Sequence, residues 1–343
     1  MDSTAQAGDT RVLTDLFALT RRVAPAMVER VIPPSCRAGV TLRDSVDRRG
    51  DEVVIDTPEW SPRRAARHFV PAFSLLAGRR RTFRFELAIA TGTGWTPWVA
   101  SATIGDGEFA PSVACDDVRC DIDVFTTTAA RAARLRVRVR GADLDALAEA
   151  PWLLTLSASD GTAVGVGAPH GGRAHVGVPP RSQMVEAETV RRRICSPASV
   201  AMVLERWGRR LDTIALADEI FHAATDRYGV WPAAIAAAGR HGIAGYLLRF
   251  PDWAAAAWCL DRGLPIVASV NYRTGELPGA AMDATDGHLL VLTGYENDDV
   301  LVNDPAADTH DEVPRRLRRR DVERAWLERA GVGYVFFDPF VTG

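Results

Sequence analysis

Strict alternation of apolar and polar residues is the feature that most narrows what this chain can fold into. Thr82-Phe83-Arg84-Phe85-Glu86-Leu87-Ala88-Ile89 and Leu135-Arg136-Val137-Arg138-Val139 change side at nearly every step. A period of two does not suit a helix, whereas it gives each strand of an antiparallel sheet one apolar face. The run Val118 to Val124 alternates as well and places Cys120 with Ile122 on its apolar side. With further strands near 39–42, 52–55, 67–75, 97–103 and 152–158, the pattern predicts a two-sheet antiparallel β-sandwich over residues 36–160. Ahead of it, Leu13, Leu16 and Phe17 fall at helical spacing and Pro25 interrupts, so residues 1–35 are expected to form an N-terminal helical segment. Trp60, Trp95 and Trp98 lie near predicted turns, where they either pack the rim or present rings to a sugar or peptide.

The pattern changes after a Gly-rich stretch, Gly161 to Gly177, followed by Pro179-Pro180. Residues 161–175 read as a linker and residues 176–343 as a second domain. Within it Val200, Val203, Leu204 and Trp207 recur at helical spacing, and Gly208 supplies a stop. Ser196 suits the N-cap and Pro197 the first turn. Cys195 then stands at the mouth of a buried helix, where partial positive charge and free N–H groups favour thiolate over thiol. The competing reading is a buried structural cysteine.

Downstream, Asp286 to Asp304 forms two Leu/Val-rich runs around Glu296-Asn297-Asp298-Asp299, a hairpin signature. A turn centred near 296–297 would pair His288 with Asp304 or Pro305, with opposed Cβ atoms roughly 5 Å apart. A carboxylate there accepts from one imidazole nitrogen and leaves the other free. Taken singly, His288 reads as a satisfied core histidine and Asp304 as a strand-end turn residue. Together with Cys195 they have the composition of a thiol catalyst. The imidazole takes the thiol proton and later protonates a leaving amine, and the carboxylate fixes the ring tautomer. Such chemistry needs a donor for the tetrahedral oxyanion, and Gln183 is the upstream candidate, acting with the Cys195 N–H.

Ser182-Gln183-Met184, Cys195-Ser196-Pro197-Ala198-Ser199, Val230-Trp231-Pro232, Gly263-Leu264-Pro265-Ile266-Val267, Gly287-His288-Leu289, Asn303-Asp304-Pro305-Ala306 and Gly331-Val332-Gly333-Tyr334-Val335 follow one another in order. From about residue 176 onward this order resembles the C39-type branch of the papain-like cysteine peptidases, the actinobacterial C39-like proteins above all. The resemblance implies a C-terminal α+β papain-like fold, with Cys195 as nucleophile, His288 as general base, Asp304 as its orienter and Gln183 in the oxyanion hole. The first half resembles, more weakly, the β-domain that precedes the peptidase domain in those proteins. The loop from Gln183 to Cys195 is unusually charged, with Glu186, Glu188 and Arg191-Arg192-Arg193.

Composition excludes several alternatives. All 41 basic residues are arginine, which rules out a Schiff-base lysine, a phosphate-loop lysine and a kinase lysine. With 343 residues the chain has room for two cores, and a net charge of −3 gives no overall field for nucleic acid or anionic membrane. The arginine clusters at 79–81, 191–193 and 315–320 are expected to be solvated, the last leading into a helix from Asp321 to Ala330. Cys36, Cys115, Cys120, Cys195 and Cys259 form no metal-binding spacing, and free thiols are expected at 115 and 120, with a disulfide between those two as the alternative. No cofactor or metal is implied. The opening residues lack a basic region followed by an apolar run, so a cytoplasmic protein is expected unless an export signal has been removed. The expected partner is a peptide or an amide-containing small molecule. Hydrolysis of a Cys195 thioester makes a peptidase and its capture by an amine makes an acyltransferase; a non-catalytic binding protein is the alternative of another class.

Overall fold

The structure, a computed structural model, describes residues 13–43, 46–76, 78, 80–141, 144–161 and 171–341. Most of the expected linker, residues 162–170, lies outside the described residues, as do residues 1–12 of the expected helical segment.

Strand β1 (Thr14–Arg21) leads through helix α1 (Pro25–Arg30) into β2 (Arg37–Leu42). β3 (Asp47–Arg49) and β4 (Glu52–Asp56) form a hairpin, followed by the ten-residue strands β5 (Ala66–Leu75) and β6 (Thr82–Thr91). Short strands β7 (Gly94–Trp95) and β8 (Val99–Ala100) precede a second hairpin, β9 (Val118–Asp121) and β10 (Val124–Ala130). β11 (Ala133–Arg140), helix α2 (Leu144–Glu149) and β12 (Trp152–Ser159) complete this half. Its strands make two sheets, ordered β2-β1-β12-β5-β10-β9 and β3-β4-β11-β6-β7, with β8 beside β6.

β13 (Arg173–His175) opens the second half, followed by helices α3 (Cys195–Arg206), α4 (Thr213–Ile220) and α5 (Trp231–Arg240). Then come β14 (Ala244–Arg249), α6 (Trp253–Asp261), β15 (Ile266–Tyr272) and the hairpin β16 (Thr285–Glu296) and β17 (Asp299–Asn303). β18 (Pro314–Arg318), α7 (Arg319–Trp326) and β19 (Val332–Phe337) end the described fold. The third sheet runs β14-β19-β15-β16-β17-β18, with β13 added against β16. Helix α3 packs against β16, the layering that brings a helix mouth to a sheet.

The alternation read from the sequence survives in β11, whose residues are buried and half-buried in turn. Its arginines form a ladder with Glu52, Asp56 and Glu86: Arg136 Nε lies 2.5 Å from Asp56 Oδ1 and Arg138 Nε 2.6 Å from Glu52 Oε2. Trp95 and Trp98 are covered by Arg134 and Arg136 guanidinium groups at 3.9 and 4.2 Å. Trp60 is buried and stacks on Phe17 at 5.2 Å. Of the two roles open to these tryptophans, packing is the one the contacts display.

β1, β5 and β12 break the alternation, because both faces of their sheet are covered. Trp152, Leu154 and Leu156 join the apolar cluster shared with Phe85 and Val137 of the second sheet, while Leu153 joins Tyr246, Leu248 and Phe337 of the C-terminal half. Each such side chain contributes about 1.5–3 kcal/mol when fully buried. Polar ties lie within the same interface. Ser74 Oγ donates to Gly245 O (3.0 Å) and accepts from Gly245 N–H (2.9 Å), and Ser157 Oγ accepts from Arg249 N–H (3.1 Å). Helix α5 comes so close to β5 that a Cβ at Gly239 would stand 2.8 Å from Leu75 O, so only glycine fits.

Several sequence expectations need correction. Residues 14–21 are not helical: they form β1, central in its sheet and buried at every position. A strand covered on both faces is a continuous apolar run, and such a run contains helical spacings by necessity. The Val118–Val124 run is two strands joined by a tight turn, with Ile122 at φ +55°, so Cys120 and Val124 sit on different strands. Of the strand expected over 97–103 only Val99–Ala100 forms. The first sheet is not wholly antiparallel, since β1 and β2 run parallel. The last helix spans Arg319–Trp326, and Arg319 is buried rather than solvated, 3.2 Å from Asp298 and 3.6 Å from Glu323.

Candidate active site

Helix α3 begins at Cys195, two residues earlier than a Ser196 cap would start it, so Ser196 lies inside the first turn and does not cap it. Ile194 occupies the N-cap and offers no side-chain acceptor. Pro197 has no N–H to leave unpaired. The uncapped mouth therefore keeps its positive end directed at the Cys195 side chain. Ala198 N–H bonds Ile194 O (3.0 Å), and Ser199 Oγ donates to Leu289 O (3.0 Å), which ties the helix to the strand carrying His288.

The hairpin delivers the other two groups by a route different from the one expected. Its turn residues are Asn297 and Asp298, with Asn297 at φ +53°, and Glu296 pairs with Asp299. A bulge at Thr293 then shifts the register, so that Val291 faces Asn303 and the ladder stops there. His288 and Asp304 are consequently not opposed in the ladder. Asp304 has left the strand, held by its N–H on Val313 O (2.8 Å), and its side chain reaches back across the strand end. His288 Nε2 and Asp304 Oδ1 lie 2.8 Å apart, with both side chains buried.

The carboxylate is fully engaged. Oδ1 also accepts from Ala306 N–H (3.1 Å), and Oδ2 from Ala281 N–H (2.9 Å). Burial by itself would raise the Asp304 carboxyl, but the adjacent His288 charge, their hydrogen bond and the two amides hold it below the usual carboxylate range. Burial likewise would lower His288; the Asp304 charge and hydrogen bond, with the bond to Cys195, raise it instead to about 10. For Cys195 burial works against ionisation, yet the His288 hydrogen bond and charge, and the Leu289 and Ser196 backbone groups, bring the thiol below its ordinary value. All these balances favour thiolate beside imidazolium. With Nε2 on Asp304, Nδ1 is the nitrogen left for the thiol.

The remaining cysteines are free thiols. Burial pushes Cys36 up to about 12 and raises Cys120 and Cys259 still further. Among the described residues no group of three or more His, Cys, Asp or Glu side chains is placed to hold a metal ion.

Gln183 is buried beside the same strand end, its N–H bonded to Pro305 O (2.8 Å). Its side-chain nitrogen donates to Arg191 O (2.6 Å), while its oxygen is buried with no partner among the described residues. Neighbouring contacts brace this corner: Ser182 N–H donates to His310 Nδ1 (2.9 Å), and Asn303 Nδ2 donates to Val178 O (3.0 Å). Cys195 opens onto a cleft of about 650 Å³ whose walls include Arg192, Arg193, Tyr228, Trp231, Asn271 and Asp286. Ala281 and Tyr228 went unread in the sequence, since a backbone donor or a wall residue has no motif of its own, and Trp231 was read only within the ordered motif Val230-Trp231-Pro232.

Residues 175–334 match the model of the Peptidase_C39 like family. No curated protein matches the chain. Solved structures similar to it include a C39-like peptidase from Bacillus anthracis, at 19% identity over 48% of this chain and 98% of that one, with a TM-score of 0.39. A double glycine motif protease from an AMS/PCAT transporter, in complex with its leader peptide, is 17% identical over 50% and 98% of the two chains, with a TM-score of 0.33. The peptidase domain of Streptococcus ComA, a bi-functional ABC transporter, is 15% identical over 47% and 98%, with a TM-score of 0.34. Cys195, His288, Asp304 and Gln183 all lie within residues 175–334, the part of the chain that is similar to the C39-like peptidase family.

Proposed function

We propose that the chain cleaves peptide or amide bonds through a thioester on Cys195. The observation that carries this reading is the bracketed imidazole, bonded to Asp304 at 2.8 Å on one side and to the Cys195 thiol on the other. The thiolate attacks the carbonyl carbon, and the carbonyl π pair moves to oxygen. The Cys195 N–H at the uncapped helix mouth is the first donor to that oxyanion. Gln183 is the second, once its nitrogen exchanges the Arg191 carbonyl for substrate. Collapse breaks the C–N bond, with the His288 proton passing to the departing amine. Water, deprotonated by the neutral ring, then attacks the thioester; the acid departs and the thiol is restored. Asp304 holds the ring in the tautomer with its proton on Nε2 and stabilises its charged form.

Brief substoichiometric iodoacetamide near neutral pH, followed by peptide mapping, tests the assignment. Cys195 should be labelled well before the other four cysteines. Preferential labelling of Cys115 or Cys36 would remove the nucleophile from this reading.

A further inference from the structure

We infer that the N-terminal half builds one wall of the Cys195 cleft, with Asp123 as the positioning residue that holds it. The inference rests on the proposed function of the cleft and adds a component that lies outside the C39-like domain.

The wall is the strap from His222 to Trp231, which contributes Asp226, Tyr228, Gly229 and Trp231 to the cleft. Both of its ends are pinned to the first half of the chain. At one end the buried His222 has its Nε2 2.8 Å from Thr103 O, while Nδ1 lies 2.8 Å from Thr225 Oγ1. At the other end Asp123 Oδ2 accepts from Trp231 N–H at 2.9 Å. Trp231 is the first residue of α5, its N-cap Val230 supplies no side-chain acceptor, and Pro232 has no N–H to give. The helix thus takes its capping carboxylate from a residue 108 positions earlier.

Asp123 is shaped for this contact. It follows Ile122, whose φ of +55° turns the β9–β10 hairpin tightly, and its own N–H bonds Asp121 O at 2.7 Å. Its side chain is buried, and around it stand Asp121, Arg227, Cys120 and Tyr334. Burial lifts the carboxyl to about 7, with the Trp231 N–H and Arg227 drawing it back. Because the required function is acceptance of one N–H, an uncharged asparagine oxygen can replace it, whereas alanine cannot.

Two electrophiles separate the wall from the nucleophile in the full chain. Iodoacetamide is small and needs only the thiolate, whereas an E-64-type epoxysuccinyl peptide must lie along the cleft. Asp123→Ala should slow inactivation by the epoxysuccinyl peptide about ten-fold or more and leave the iodoacetamide rate unchanged. Asp123→Asn should restore the wild-type rate. Hydrogen exchange gives a readout independent of reactivity: amides of 222–236 should exchange faster in Asp123→Ala, with α3 unaffected. Equal slowing of both probes with faster exchange throughout α3, or unchanged exchange over 222–236, would overturn the inference. A wild-type Cys195 inert to both probes would instead sink the proposed function, and exchange alone would then decide the role of Asp123.

Discussion

Replacing Asp304 by asparagine separates the charge of this residue from its shape. Both carboxylate oxygens accept from backbone N–H groups, Oδ1 from Ala306 and Oδ2 from Ala281, and Oδ1 also faces His288 Nε2. An amide has a single acceptor oxygen. With that oxygen toward His288 the ring tautomer survives, but the NH₂ confronts the Ala281 N–H, at a cost of about 1–3 kcal/mol for the unmade bond. The reverse orientation places NH₂ against both His288 and Ala306, and turns an N–H of the ring toward the thiol. The electrostatic loss is larger. His288 stands at about 10 against an ordinary 6.5, and burial alone would take it lower. At about 1.4 kcal/mol per pH unit that rise is worth about 5 kcal/mol, to which Asp304 and the Cys195 bond both contribute, so losing the carboxylate charge should cut the thiolate–imidazolium population near neutrality on the order of a thousand-fold.

The assay is the pH dependence of Cys195 alkylation by iodoacetamide, with urea unfolding in parallel. Wild-type alkylation should already be on its plateau at mildly acidic pH, while the Asp304→Asn rate climbs only toward an ordinary thiol pKa of about 8.5. Linkage gives the unfolding signs. The lowered Asp304 contributes stability above its ordinary 3.8, lost as pH falls through its folded value. The raised His288 contributes fully below 6.5, and that contribution is lost as pH rises through about 10. The lowered Cys195 thiol contributes the opposite slope up to its ordinary 9.0, so the two offset between 6.5 and 9.0; wild-type stability should fall only from there to about 10, and the variant should lack that slope. A natively folded Asp304→Asn protein that alkylates at the wild-type rate at pH 6 would refute the reasoning.

Gln183→Ala should slow acylation by an activated ester about a hundred-fold, since that step forms an oxyanion, and leave iodoacetamide alkylation unchanged; equal losses in both would deny Gln183 the oxyanion. A chain beginning at residue 171 should fail to unfold cooperatively in urea, because it bares the faces of α5 and β14 that pack on β5 and β12. A soluble fragment with a sharp transition and native thiol reactivity would show that those contacts are dispensable.

The site was legible where chemistry needs a particular side chain. Cys195 could be placed at a helix mouth because the apolar spacing of Val200, Val203, Leu204 and Trp207 fixes the helix. The His288–Asp304 pairing followed from a hairpin, although its index arithmetic failed: the turn sits at Asn297–Asp298, and the Thr293 bulge shifts the ladder again. A bulge is a matter of backbone geometry and leaves little trace in residue type. The error at β1 has a tertiary cause, because nothing in Leu13–Arg21 announces that its second face will be covered by residues some 230 positions later. Asp123 was invisible for the same reason. Within its own half it is one more acidic turn residue, and its role exists only where α5 meets it.

The doubly covered sheet also has a consequence during synthesis. A nascent chain that has emerged only to residue 160 has every strand of that sheet, yet Leu16, Ala18 and Leu153 still await Tyr246, Leu248 and Phe337. At a ribosomal rate of roughly 5–20 residues per second, the intervening stretch to β19 keeps that apolar face open for about 10–35 s. The first half thus keeps that apolar face open for as long as the C-terminal half is incomplete. Slowing translation between residues 160 and 337 should raise aggregation, whereas slowing it before residue 140 should not.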